Sequence, residues 1–177
     1  MLNKSSLGKL RSVFAVGFIL TISMALTSYI DSSFLDTFIS KTRVGILFTV
    51  ASFASLVYIA NTPKILSKFG VVGTMQITTS AYILSILGLV FSHTPILLEI
   101  FFVVYWVSAV AMYTSLDVLI SEYSDGVSTG KTRAFYLTIY NLAFLIAPFI
   151  AGILVDTIDF RGVYLVSGFF VLCMSLF

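Results

Sequence analysis

The chain has 177 residues, 59% of them hydrophobic and only 10% charged, with a mean hydropathy of +1.07 and a formal net charge of +2. A soluble domain carries about 25% charged residues, so lipid is the solvent for this chain, and so small a charge does not imply a nucleic-acid partner. One cysteine, Cys173, and one histidine, His93, exclude an internal disulfide, a cysteine metal cluster and a multi-histidine metal site.

The length predicts a single domain over residues 1–177. Six apolar runs follow in chain order: Val13–Ile30, Val44–Ala60, Thr74–Phe91, Ile96–Asp117, Ala134–Val155 and Val163–Phe177. A spanning helix needs about 20 mostly apolar residues, and backbone groups in a bilayer must be satisfied within the segment, so the runs read as helices. A lipid-spanning barrel needs alternating segments of about 10 residues instead. The sixth run is still apolar at Phe177, so the chain is expected to be cut within that helix.

The connections alternate in charge. Lys4, Lys9, Arg11, Lys64, Lys68, Lys131 and Arg133 fall on one side, and Lys41, Arg43 and Arg161 on the other. Short cytoplasmic loops are enriched in Lys and Arg, which places the N-terminus in the cytoplasm. The outer connections carry Asp31, Asp36, Asp156 and Asp159.

The connection after run 2, "PKILSKFGVV", and the one after run 5, "GILVDTIDFRGVY", align with Pro63 on Gly152 and Ser67 on Asp156. After three extra residues "GVV" at 70–72 meets "GVY" at 162–164. One copy is expected inside and the other outside, as in transporters built from a three-helix unit used twice in opposite orientation. The expected fold is therefore an all-α membrane protein of six helices in a 3+3 inverted repeat.

Six helices, a short 2–3 connection and a longer polar 4–5 loop resemble the N-terminal half of a major facilitator superfamily transporter. In the 2–3 connection Lys68 and Gly70 match that family's motif. Pro63, Ser67, Val71 and Val72 depart from it. In "LDVLISEYSDGVSTGKTRAFYLTIYN" the positions Asp117, Glu122, Arg133 and Asn141 match the acidic end of helix 4, the loop and the arginine opening helix 5. The stretch "NLAFLIAPFIAGILVD" is similar to the small-residue and proline motif of antiporter members, carried here by Ala143, Ala147, Pro148, Ala151 and Gly152. Small residues let helices approach closely, and Pro148 frees the carbonyl of residue 144 and bends the helix. Ordinary helix packing is the competing reading.

Run 4 holds Glu99 and Asp117, five turns or roughly 27 Å apart on one face, with Trp106 and Tyr113 between them. The resemblance implies that helices 1 and 4 line the central cavity. Substrate-cavity candidates are therefore Trp106 and Tyr113 with Thr21, Met24 and Ser28 of the run 1 stripe that also includes Gly17 and Asp31. Glu99 and Asp117 are candidates for coupling, although both lie near the interfaces and reach water cheaply there. Asp117 has a structural alternative, a pair with Arg133. Run 4 has no arginine, which argues against drug efflux. No phosphate-binding glycine loop and no convergent catalytic set is present, so an enzyme is a poor fit.

The expected function is secondary active transport of a small solute by alternating access, with no cofactor or metal. A second six-helix half is the expected partner and a bacterial plasma (inner) membrane the expected location. The alternatives are a non-transporting membrane scaffold and a homodimeric six-helix half-transporter.

Overall fold

The computed structural model describes residues 4–123 and 129–175. The chain folds into helices α1 (Lys4–Ser28), α2 (Asp31–Asp36), α3 (Lys41–Phe91), α4 (Pro95–Tyr123) and α5 (Thr129–Met174). The stretch Ser12–Asp36, all of α3, all of α4 and Ala134–Met174 of α5 are each long and apolar enough to cross a membrane. The protein is thus all-helical, with four long apolar helices.

Two of these are too long for one crossing. At 1.5 Å per residue, the 51 residues of α3 would span roughly 75 Å if straight, more than twice the hydrocarbon thickness. The helix is instead broken at one residue, Gly70, with φ 69° and ψ 169°. The 46-residue α5 is broken in the same way at Asp159, with φ 61° and ψ 179°. The polar connections expected after runs 2 and 5 are therefore largely helical, and a single residue makes each break. Asp159 follows Gly70 by 89 residues, the same offset that relates Pro63 to Gly152 and Ser67 to Asp156. The sequence alignment, which inserted three residues, sets Gly70 opposite Gly162 instead.

Run 1 ends earlier than its hydropathy suggests. α1 stops at Ser28, a turn at Tyr29 and Ile30 follows, and α2 carries the chain through Asp31–Asp36. Ser40 then opens α3 by accepting a hydrogen bond from the Arg43 amide at 3.4 Å.

α3 packs chiefly on α4, and α1 on α5. The α1–α5 contact is close because small residues line it. A Cβ at Gly17 would lie 2.8 Å from the Tyr136 ring and 2.9 Å from Leu116. On α5, Ala143, Ala147 and Ala151, spaced four apart, are all buried. The opposite face of α5 is bare, with Leu145 67% and Phe149 75% exposed. Apolar side chains this open suit a helix that meets lipid or another apolar surface.

Candidate functional site

α1 carries two polar lines. The one expected from the sequence is mostly turned inward. Thr21 is buried and donates to the Gly17 carbonyl at 2.7 Å, Met24 is buried, and Ser28 is exposed and donates to the Ala25 carbonyl. Thr21 lies beside Tyr113 of α4 and Tyr136 of α5. Tyr113 meets Tyr140 edge-on at 5.3 Å, and Tyr140 stacks on Phe144 at 4.8 Å. The hydroxyls of Tyr113 and Tyr136 are buried without a hydrogen-bond partner among the described residues. Trp106 is separate from this group. It is half-buried between Phe48, 5.2 Å away, and Phe102, 5.7 Å away. The structure thus brings Thr21 and Tyr113 together and leaves Trp106 in an aromatic contact with α3.

The second line is Ser23 and Thr27 of α1 and Asp31 at the start of α2, again four residues apart and all buried. Each reaches a different part of the bundle. The Ser23 hydroxyl bonds that of Ser167 at 2.7 Å, and Tyr82 of α3 reaches the same Ser167 hydroxyl at 3.3 Å. Thr27 bonds the Tyr105 hydroxyl of α4 at 2.6 Å. Tyr164, in the last segment of α5, donates to an Asp31 oxygen. Buried hydroxyls joined in this way satisfy each other where water is absent. The step of four from Ser23 through Thr27 to Asp31 was visible in the sequence, but their partners lie 78 to 144 residues away and leave no local signal.

The proline stretch has a matching cross-helix bond. Pro148 lies inside α5 and has no amide hydrogen to give to the carbonyl four residues earlier. That carbonyl belongs to Phe144, and the Tyr29 hydroxyl donates to it at 2.9 Å. The chain thus fills the gap that proline leaves with a donor from the end of the α1 region. Ala147 and Ala151 are buried, but Gly152 is not. It is exposed, and a Cβ there meets nothing within 4 Å. Its place on the helix wheel, one hundred degrees past Ala151, carries it out to the bare face.

The ends of the helices hold the charges. Glu99, a coupling candidate, forms an ion pair with Arg43 at 2.7 Å, with side-chain exposures of 24% and 52%. A pair this open contributes about 0–1 kcal/mol and ties α4 to the start of α3. Asp117 is half-buried with interactions of its own, and Glu122 and Asp156 are exposed. The Arg133 side chain lies outside the described residues. Lys68 sits 5.1 Å from the Phe69 ring, beside the break at Gly70. Asn141 is exposed and donates to the Leu137 carbonyl at 2.8 Å. Among the described residues no three His, Cys, Asp or Glu side chains converge as a metal site.

Residues 11–177 match the family model of the Major Facilitator Superfamily. The chain belongs to the major facilitator superfamily. Comparison with curated proteins and with solved structures returns no match. A member of this superfamily is an integral membrane transporter and not an enzyme, and as a transporter it works on a solute within the lipid bilayer.

Proposed function

We propose that this chain is the N-terminal half of a secondary transporter that moves a small solute by alternating access, built as six membrane crossings in a 3+3 inverted repeat. The observation that carries this reading is the pair of breaks. A helix broken at Gly70 and a helix broken at Asp159, 89 residues apart, support a division of the four long helices into six spans. α1 pairs with α4, the two parts of α3 with the two parts of α5, and an odd number of spans per repeat reverses the second copy in the membrane. The N-terminus lies in the cytoplasm, and the membrane is a bacterial inner membrane.

In this reading a second six-helix half meets the bare face of α5. Gly152, open to its surroundings, is where that half approaches most closely. The solute meets the tyrosine group of Tyr113, Tyr136 and Tyr140 beside Thr21, where α1, α4 and α5 come together. The bend at Pro148 is the moving part. The Phe144 carbonyl is held by a side chain from another segment, so bending α5 costs no helical hydrogen bond at that point. Glu99 and Asp117 serve the bundle ends in this scheme, with Glu99 held by Arg43.

The test needs no solute. In the full-length transporter in proteoliposomes, with Cys173→Ser, a cysteine at Asn141 should react with a membrane-impermeant thiol reagent added to either side. Pro148→Ala should slow the reaction from at least one side. Reaction from one side only, at a rate that Pro148→Ala leaves unchanged, contradicts alternating access through this bend.

A further inference from the structure

We propose that the groove between α1, the part of α3 after Gly70 and the end of α5 binds an anionic phospholipid of the inner leaflet. The groove holds a cavity of about 570 Å3, inside the range of about 300–1,000 Å3 typical of small-molecule sites. Val13, Leu116 and Leu119, all buried, close its floor. Val72, Gln76, Ser80 and Leu172, all exposed, form its walls, so it opens at the outside of the bundle. Neither α3 ahead of Gly70 nor α5 ahead of Asp159 lines it. A second half seated on the bare face of α5 therefore leaves the groove open to lipid.

Its length and chemistry match one acyl chain. Along α3 the lining runs from Val72 to Ile83, a rise of roughly 16 Å and about half the hydrocarbon thickness. Ser12, Tyr123 and Ser175 share the Val72 end, where α1 begins and α4 and α5 finish. In the orientation proposed above that end is cytoplasmic, so the groove spans the inner leaflet and stops near the midplane. No charged residue lines it among the described residues. Its two deep hydroxyls are already engaged. Thr79 donates to the Met112 sulfur at 3.3 Å and Ser80 to the Gln76 carbonyl at 2.9 Å. A hydrocarbon chain laid along them leaves no hydroxyl donor without a partner.

The charges lie around the mouth. Lys4, Lys9 and Arg11 occupy the turns of α1 ahead of Ser12, and Lys64 and Lys68 precede Val72 across the break at Gly70. The adjoining acid among the described residues is Glu122, beside Tyr123, and the basic residues outnumber it. Clusters of about four to eight Lys and Arg just inside a membrane helix attract anionic headgroups. Gln76, exposed in the wall, offers an amide to the ester oxygens below the phosphate. An apolar groove one leaflet deep with a basic mouth fits a phospholipid whose net charge is negative. A free phosphate would leave the groove empty, and a neutral lipid would leave the basic residues unmatched. The site rests on the orientation of the chain and not on transport.

The test uses the full-length protein in phosphatidylcholine vesicles that contain phosphatidylglycerol with a photoactivatable diazirine in its acyl chain. After illumination, peptide mass spectrometry locates the attached lipid. Labels should concentrate on 72–83 and 172–175, and unlabelled phosphatidylglycerol should suppress them severalfold more than extra phosphatidylcholine does. Ser80→Trp, which fills the groove, should cut this labelling severalfold and leave that at exposed Phe91, at the far end of α3, unchanged. Val72→Trp blocks the mouth and gives the same result should Ser80→Trp not fold. Lys68→Gln should weaken competition by phosphatidylglycerol about fivefold, the effect of one basic residue near an anionic headgroup. Labels spread evenly over the lipid-facing residues, equal competition by the two lipids, or an unlabelled groove filled by another part of the chain overturns the proposal. No transport enters the readout, so failure of this site and failure of the transport reading are told apart.

Discussion

Gly70 and Asp159 hold nearly the same backbone conformation, and they reach it by different chemistry. Positive φ with ψ near 180° is a region that is essentially glycine's alone. Gly70 enters it without a Cβ and with nothing within 4 Å of the place one would occupy. Asp159 enters it with a full side chain, and its carboxylate accepts a hydrogen bond from the Arg161 amide two residues on. That bond restarts the helix, because it satisfies one of the amides that a new N-terminus leaves free. One break is cheap and passive, and the other is strained and held by its own side chain. The difference teaches that position along the chain, more than residue type, decides where these helices stop.

Gly70→Val breaks the comparison most severely. A β-branched residue forced into this conformation should cost about 3 kcal/mol, read as a large drop in the thermal midpoint of the purified protein in detergent. Survival of Gly70→Val at wild-type stability means that the break does not exist at Gly70.

Pro148 sharpens the contrast, because α5 continues through it with helical backbone. There the missing bond is replaced across helices by Tyr29. Tyr29→Phe should cost about 1 kcal/mol in the native background and much less with Pro148→Ala, where a restored amide already fills the Phe144 carbonyl. A double-mutant cycle on unfolding midpoints checks this, and additive effects of the two changes contradict it.

The smallest change is expected for Asp159→Gly. Relief of strain of order 1–3 kcal/mol is set against a lost hydrogen bond and added chain entropy of about 1 kcal/mol each. The net should lie within about 1 kcal/mol of zero. Asp159→Ala keeps the strain and loses the bond, so it should be the less stable of the pair in the same melting assay. The reverse order would show that the Asp159 carboxylate does not hold this break.

Much of this architecture was legible in the residues, for reasons that also explain the omissions. Bilayer thickness demands long apolar runs, so the spans stood out. Helix ends did not, because a break made by one residue needs no polar turn, and 61–69 and 156–158 stay helical within the expected connections. Pro148 revealed its free carbonyl at residue 144 by simple counting. The donor, Tyr29, lies 115 residues away and left no mark. Asp31 was read both among the outer acids and on the polar stripe of run 1, and only the fold shows it buried at the start of α2 against Tyr164. Gly152 looked like part of the small-residue seam because spacing alone does not tell which side of a helix meets a neighbour.

The central claim is that the two breaks are equivalent points of an inverted repeat and lie on opposite faces of the membrane. Single cysteines at Ser67 and Thr157, both exposed and each two or three residues from its break, test it directly in a Cys173→Ser background of the full-length protein in intact cells. A membrane-impermeant thiol reagent added outside should label the cysteine at 157 and leave the one at 67 untouched until the membrane is permeabilised. Labelling of both from the same side would contradict the repeat, the six crossings and the transport mechanism built on them.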